Sequence, residues 1–151
     1  MNLIKLQDEL ANDEGIKYET YRCSLGHPTG GIGHLITEWD EEYYGAPIGT
    51  KIPNEQVNDW FEKDIDVTIS DCKIIFEEFD SLPEEAQLVI ANMCFQLGRP
   101  RLSKFKKFIA AVKEQDWELA ADEMKDSRWY NQTTARAERL ISRIQTLGVP
   151  V

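Results

Sequence analysis

Three side chains in the run DEGIKYETYRCSLGHPTGGIGH, Asp13 to His34, have the chemistry of a reaction centre: the carboxyl of Glu14, the thiol of Cys23 and the hydroxyl of Thr29. A carboxylic acid can protonate a leaving group if partial desolvation keeps it protonated, and a thiol or hydroxyl can hold a water molecule. Each residue also has a plainer reading. On position alone Glu14 is better explained as a solvated acid at a helix end, and Thr29, in HPTGG, as a turn residue whose hydroxyl bonds the local backbone. His27 and His34 stand seven residues apart near Cys23. That set makes a metal site conceivable, but a poorer explanation of the run.

The elements that must position these groups follow from hydrophobic period. Leu3, Leu6 and Leu10 mark a short amphipathic helix that Gly15 can terminate. From Ile16 to Pro53 the helical period disappears and eight Gly or Pro residues before Pro53 punctuate short apolar pieces, so a small irregular sheet or hairpin set is expected. Beyond Pro53, Val57, Trp60, Phe61, Ile65, Ile69, Cys72, Phe76 and Phe79 recur at three- and four-residue steps. They predict one helix of about 25 residues, roughly 37 Å long and able to bridge two lobes. DSLPEEAQLVIANMCFQLG predicts a further helix with Pro83 in its first turn and Gly98 as terminator; shorter patterns follow at 102–112, 117–124 and 137–144. The fold class is therefore α+β. The expected division is a β lobe over about 13–53, a linker helix over about 54–80, and a helical lobe over about 81–151 that also takes the helix at 1–12.

Composition narrows the class. The chain has 151 residues, 42% hydrophobic and 29% charged, as in an ordinary globular domain. No apolar run is long enough to cross a bilayer, and the acids at Asp8, Glu9, Asp13 and Glu14 argue against a secretory leader; synthesis in a cytoplasm and no membrane insertion are expected. Cys23, Cys72 and Cys94 are odd in number and lack CxxC spacing, so they are read as free thiols. Residues 1–98 carry 6 Lys/Arg against 20 Asp/Glu, residues 99–151 carry 11 against 7, and RPRLSKFKK at 99–107 is the densest basic stretch. A solvated helix face explains that stretch better than contact with nucleic acid, given the overall charge of −10. Steering toward an anionic polymer is the third reading.

The run resembles the catalytic segment of the T-even phage type of lysozyme, glycoside hydrolase family 24, whose pattern is Glu, eight residues, Asp or Cys, five residues, Thr; Glu14, Cys23 and Thr29 fit it without a gap. The similarity continues through DEG at 13–15, GIGHL at 31–35, DID at 64–66, NMCFQLG at 92–98 and SRWYNQT at 127–133, with Arg136 three residues on. This resemblance implies a lysozyme-like fold and hydrolysis of the β-1,4 bond between N-acetylmuramic acid and N-acetylglucosamine in peptidoglycan. Glu14 would protonate the leaving oxygen, Cys23 and Thr29 would hold the water of an inverting attack. It further implies sugar contacts at Leu35 and Phe95, an ion pair of His34 with Asp64, and an arginine, Arg136, paired with the glutamate. Phe108 and Glu123 depart from small polar groups in the family's best-known member. No cofactor or metal is implied, and a monomer is expected. The implied setting is a phage product held in the host cytoplasm until lysis and then acting at the wall, with a holin as partner for release, or else a virion part.

An ordinary thiol has a pKa of about 8.5, and Glu14 nearby would raise it. Cys23 is then expected to be a weak water positioner. Its other readings are a nucleophile giving retention of configuration, or a lesion that leaves an inactive peptidoglycan-binding virion component. A more distant class is a peptidase or amidase in which Cys23 works with His27 or His34.

Overall fold

The computed structural model describes residues 1–150. Helix α1, Leu3–Glu14, leads into a three-stranded antiparallel sheet in the order β1 (Lys17–Arg22), β2 (Pro28–Gly31), β3 (His34–Leu35). Helix α2, Asn54–Ile75, follows, then a 3₁₀ turn at Phe79–Ser81 and six further helices: α3 (Glu84–Leu97), α4 (Arg99–Leu102), α5 (Lys106–Lys113), α6 (Trp117–Lys125), α7 (Arg128–Gln132) and α8 (Thr134–Leu147). The expected α+β class is what the chain adopts.

Contacts gather the chain into two units, Ile4–Val67 and Met1–Leu3 with Thr68–Val151, and the boundary falls within α2. Residues 4–14 thus group with the sheet, where the sequence reading put residues 1–12 with the helical lobe. In the first unit Ile32, Ile36, Tyr43, Ile52, Val57 and Trp60 form a buried cluster, with Phe61 packed against it. Here the early turns of α2 cover the polar, glycine-rich sheet with apolar side chains. In the second unit α3 is buried almost all round, including Leu88, Val89, Ile90 and Met93. It packs on α8, whose Leu140, Ile141 and Ile144 are buried. A helix apolar on every face has to lie inside a helical layer, and this one does.

Two helix limits differ from the expectation, each for a local reason. α2 stops at Ile75, and the 3₁₀ turn then keeps Phe79 inward beside the buried Phe76, so the apolar repeat outlasts the helix that began it. The pattern at 102–112 is two helices. Backbone bonds tighten from Ser103 N–H to the Arg99 carbonyl to Phe105 N–H to the Leu102 carbonyl, closing the first. Phe105 then turns its ring edge-on to both Phe108 and Trp129. Phe108 is almost fully buried there, at 1% exposure.

Candidate active site

The site residues of the first unit are positioned by three short devices. Glu14 is the last residue of α1, and the helix stops because Gly15 takes φ +73° while its N–H still reaches the Ala11 carbonyl. The Glu14 side chain then passes over Gly33. A Cβ placed on Gly33 would stand 2.6 Å from Glu14 Oε1 and displace that carboxyl, and the φ of +62° at Gly33 favours glycine independently.

The second device is the turn joining β1 to β2. Cys23 N–H donates to the His27 carbonyl at 2.9 Å and Gly26 N–H to the Cys23 carbonyl at 2.8 Å, which closes the loop just past the Arg22–Pro28 pair. Thr29 is buried at 5% exposure and donates its hydroxyl to the His27 carbonyl at 2.9 Å. Cys23 is half-buried. Burial pushes its thiol up, but the amides of His27, Leu25 and Gly26 and the Thr29 hydroxyl together outweigh that and bring it below its ordinary value. This reverses the sequence expectation. The dominant neighbours of the sulfur are turn N–H groups rather than the Glu14 carboxylate, and a concave set of amides favours an anion. The single Thr29 proton is shared between two acceptors. Once the sulfur ionises, the hydroxyl can turn toward it, because the His27 carbonyl keeps its bond from Cys23 N–H.

The third device orients β3. His34 Nδ1 lies 2.6 Å from Asp64 and Nε2 lies 3.0 Å from Asp40, while the ring stacks on Trp60 at 4.2 Å. Burial lowers the imidazole pKa, but Asp64 and then Asp40 raise it more, so the net shift is upward. Only the imidazolium can donate from both nitrogens at once, so the two carboxylates favour the charged form of His34. Asp40 also accepts from the Thr37 amide at 2.9 Å, which fastens the following loop to the same histidine.

Leu35, next to His34, is 51% exposed, as a sugar contact would need to be. Phe95 is half-buried on α3 in the other unit. Arg136, on α8 in that unit, donates from Nε to Asn92 Oδ1 at 2.9 Å. Trp129 donates its indole N–H to Gln96, bracing the SRWYNQT segment against α3. Among the described residues no group of three or more His, Cys, Asp or Glu could hold a metal.

Three residues around the site escaped the sequence reading. Gly33 was one glycine among many, although its place within GIGH after the acid was the available signal. Asp40 lay in a loop with nothing in its spacing to tie it to His34. Tyr21, which carries no mark in the spacing of the run, has its phenol raised by burial, then by the charges of Glu14 and Cys23.

The phage lysozyme family model matches residues 11–146. The chain is 33% identical to the probable T4-type lysozyme 2 of Dictyostelium discoideum, over 93% of this chain and 94% of that protein. It is 28% identical to the pre-baseplate central spike protein Gp5 of Enterobacteria phage T4, over 98% of this chain and 30% of that one. It is 30% identical to the peptidoglycan hydrolase gp36 of Pseudomonas phage phiKMV, over 90% of this chain and 14% of the relative.

Proposed function

The chain belongs to the phage lysozyme family, and we propose from that premise that it is a muramidase. It hydrolyses the β-1,4 bond between N-acetylmuramic acid and N-acetylglucosamine in bacterial peptidoglycan, with inversion at the anomeric carbon. Glu14 gives its proton to the leaving oxygen. Water attacks from the opposite face, held by Cys23 and Thr29. Leu35 and Phe95 contact the sugar chain, Asp64 and Asp40 fix His34, and Arg136 serves as structural support through Asn92.

The observation that carries this reading is the Cys23 turn. A thiol whose pKa is brought down by three amides and a hydroxyl comes closer to serving a water molecule as a carboxylate does than an ordinary thiol would. The same observation favours a second reading. A thiolate is a nucleophile, and attack by Cys23 would give a thioglycosyl intermediate and retention. The protein acts on the cell wall as a monomer, either released from the host cytoplasm through a holin's lesion or carried in a virion, as the likeness to the spike protein Gp5 suggests.

Digestion of peptidoglycan with product analysis by mass spectrometry, and NMR of the first anomer formed, tests the proposal. New reducing muramic acid ends with inverted configuration are expected. Retention would transfer the role to the covalent thiol, and cut stem peptides or no products would sink the muramidase reading.

A further inference from the structure

Tyr21 lies half-buried near the end of β1, two residues before Cys23. The β1–β2 ladder is irregular between Lys17 and Tyr21: these residues face only Gly31 and Thr29, so four steps on β1 match two on β2. Such a bulge re-aims the side chain that follows it. Past the bulge Tyr21 stands directly opposite Thr29, and Thr29 stands opposite Leu35. Directly opposed residues share a face of the sheet, so Tyr21, Thr29 and Leu35 form a row across all three strands. The row runs from half-buried phenol through buried hydroxyl to exposed leucine. Thr29 shares its hydroxyl with Cys23, and the phenol lies in the field of both Cys23 and Glu14. Both neighbours favour the neutral phenol, so its O–H is available to donate.

An attacking water has needs that Cys23 and Thr29 do not meet between them. One lone pair must face the anomeric carbon, one O–H must point to a base, and the remaining lone pair has to accept from a donor or the water will turn. The Thr29 proton is already committed to the His27 carbonyl or to the sulfur. We propose that Tyr21 is the water-positioning donor of the hydrolysis, its O–H bonding to the water whose proton passes to the Cys23 thiolate. The water oxygen bonds to the anomeric carbon as the glycosidic C–O bond breaks. The Glu14 proton goes to the leaving oxygen and the water proton to sulfur, and solvent returns a proton from Cys23 to Glu14. This rests on the muramidase reading above, with Cys23 as the base that receives the proton.

The test is a set of steady-state measurements on peptidoglycan with Tyr21→Phe in three backgrounds: unchanged, Cys23→Ser and Cys23→Asp. With Cys23 or Asp present, losing the phenol hydroxyl should lower kcat about tenfold, leave KM within about twofold and leave the melting temperature unchanged. In the Cys23→Ser background the same substitution should cost less than about twofold, because no base then defines the water's orientation. A tyrosine with a merely structural role would cost the same in all backgrounds, and a sugar contact would raise KM alone; either result overturns the proposal, as does an unchanged kcat. Glu14→Gln is measured alongside. If it stays active the muramidase assignment itself fails, whereas a dead Glu14→Gln with a normal Tyr21→Phe removes only the role given to Tyr21.

Discussion

Cys23 and Cys72 carry the same thiol in two regions of the molecule, and they are displaced in opposite directions. Cys72, fully buried in α2, is pushed far above the ordinary thiol value by its hydrogen bond with Cys94 and by burial, with the charge of Asp71 adding to both. Cys23, in the hairpin turn, is brought down. Burial acts upward on both, so it does not decide the sign. What decides it is where the backbone amides point. Around Cys72 they are consumed by the helical ladder, whereas the tight turn gathers the amides of His27, Leu25 and Gly26 about one sulfur, even though Gly26 N–H also bonds the Cys23 carbonyl. The region that gives up regular secondary structure is therefore the one able to stabilise an anion, and the packed helices around α3 supply rigidity instead.

The sharpest way to break this contrast is at Glu14. Glu14→Gln keeps the shape of the carboxyl and removes its proton, so lysis of peptidoglycan is expected to fall by about 10² to 10⁴ with the melting temperature almost unchanged. Met93→Ala, in the buried α3, is expected to do the reverse. It should cost about 2 to 5 kcal/mol of stability in a denaturant titration while turnover per folded molecule stays near that of the unchanged protein.

Gly33→Ala sharpens the comparison from inside the site. The new Cβ would meet the far end of the Glu14 side chain at 2.6 Å, and that flexible side chain would have to swing aside. Strain from the positive φ adds about 1 to 2 kcal/mol. A loss of kcat of about a hundredfold, larger than the stability change accounts for, is expected because the acid is displaced rather than removed.

The thiols themselves can be titrated by alkylation with iodoacetamide in the folded state. Cys23 should react with a midpoint below the ordinary thiol value, and Cys72 and Cys94 should stay unmodified until the chain unfolds. Thr29→Val removes one donor and should move the Cys23 midpoint up; an unmoved midpoint would assign the shift to the amides alone.

The smallest effect concerns His34, whose folded pKa is raised above 6.5 by Asp64 and Asp40. A raised folded pKa stabilises the protein fully below about 6.5 and progressively less as pH rises through the folded value. Stability should thus decline from pH 6 toward pH 8 by an amount that Asp64→Asn diminishes, and the His34 NMR titration should shift down in Asp64→Asn and, by less, in Asp40→Asn.

Much of this architecture was legible in the chain. The period of α2 and α3, the terminators Gly15 and Gly98 and the punctuation between Ile16 and Pro53 are local signals, because helix ends and turns depend on residues a few positions apart. The spacing of Glu14, Cys23 and Thr29 was legible too, and so was the pairing of His34 with Asp64 once a resemblance supplied it. Asp40 was not legible, since no period links a loop carboxylate to the other ring nitrogen of a histidine six residues earlier.

By itself the sequence determined which groups are available and which elements carry them, since hydrophobic period and turn chemistry act over a few residues. Only the tertiary structure decided that Gly33 makes room for Glu14, that a bulge turns Tyr21 onto the row with Thr29, and that the sulfur of Cys23 meets amides rather than carboxylates. Those outcomes depend on where dipoles and charges converge in space, and a pKa is set by that convergence, not by order along the chain.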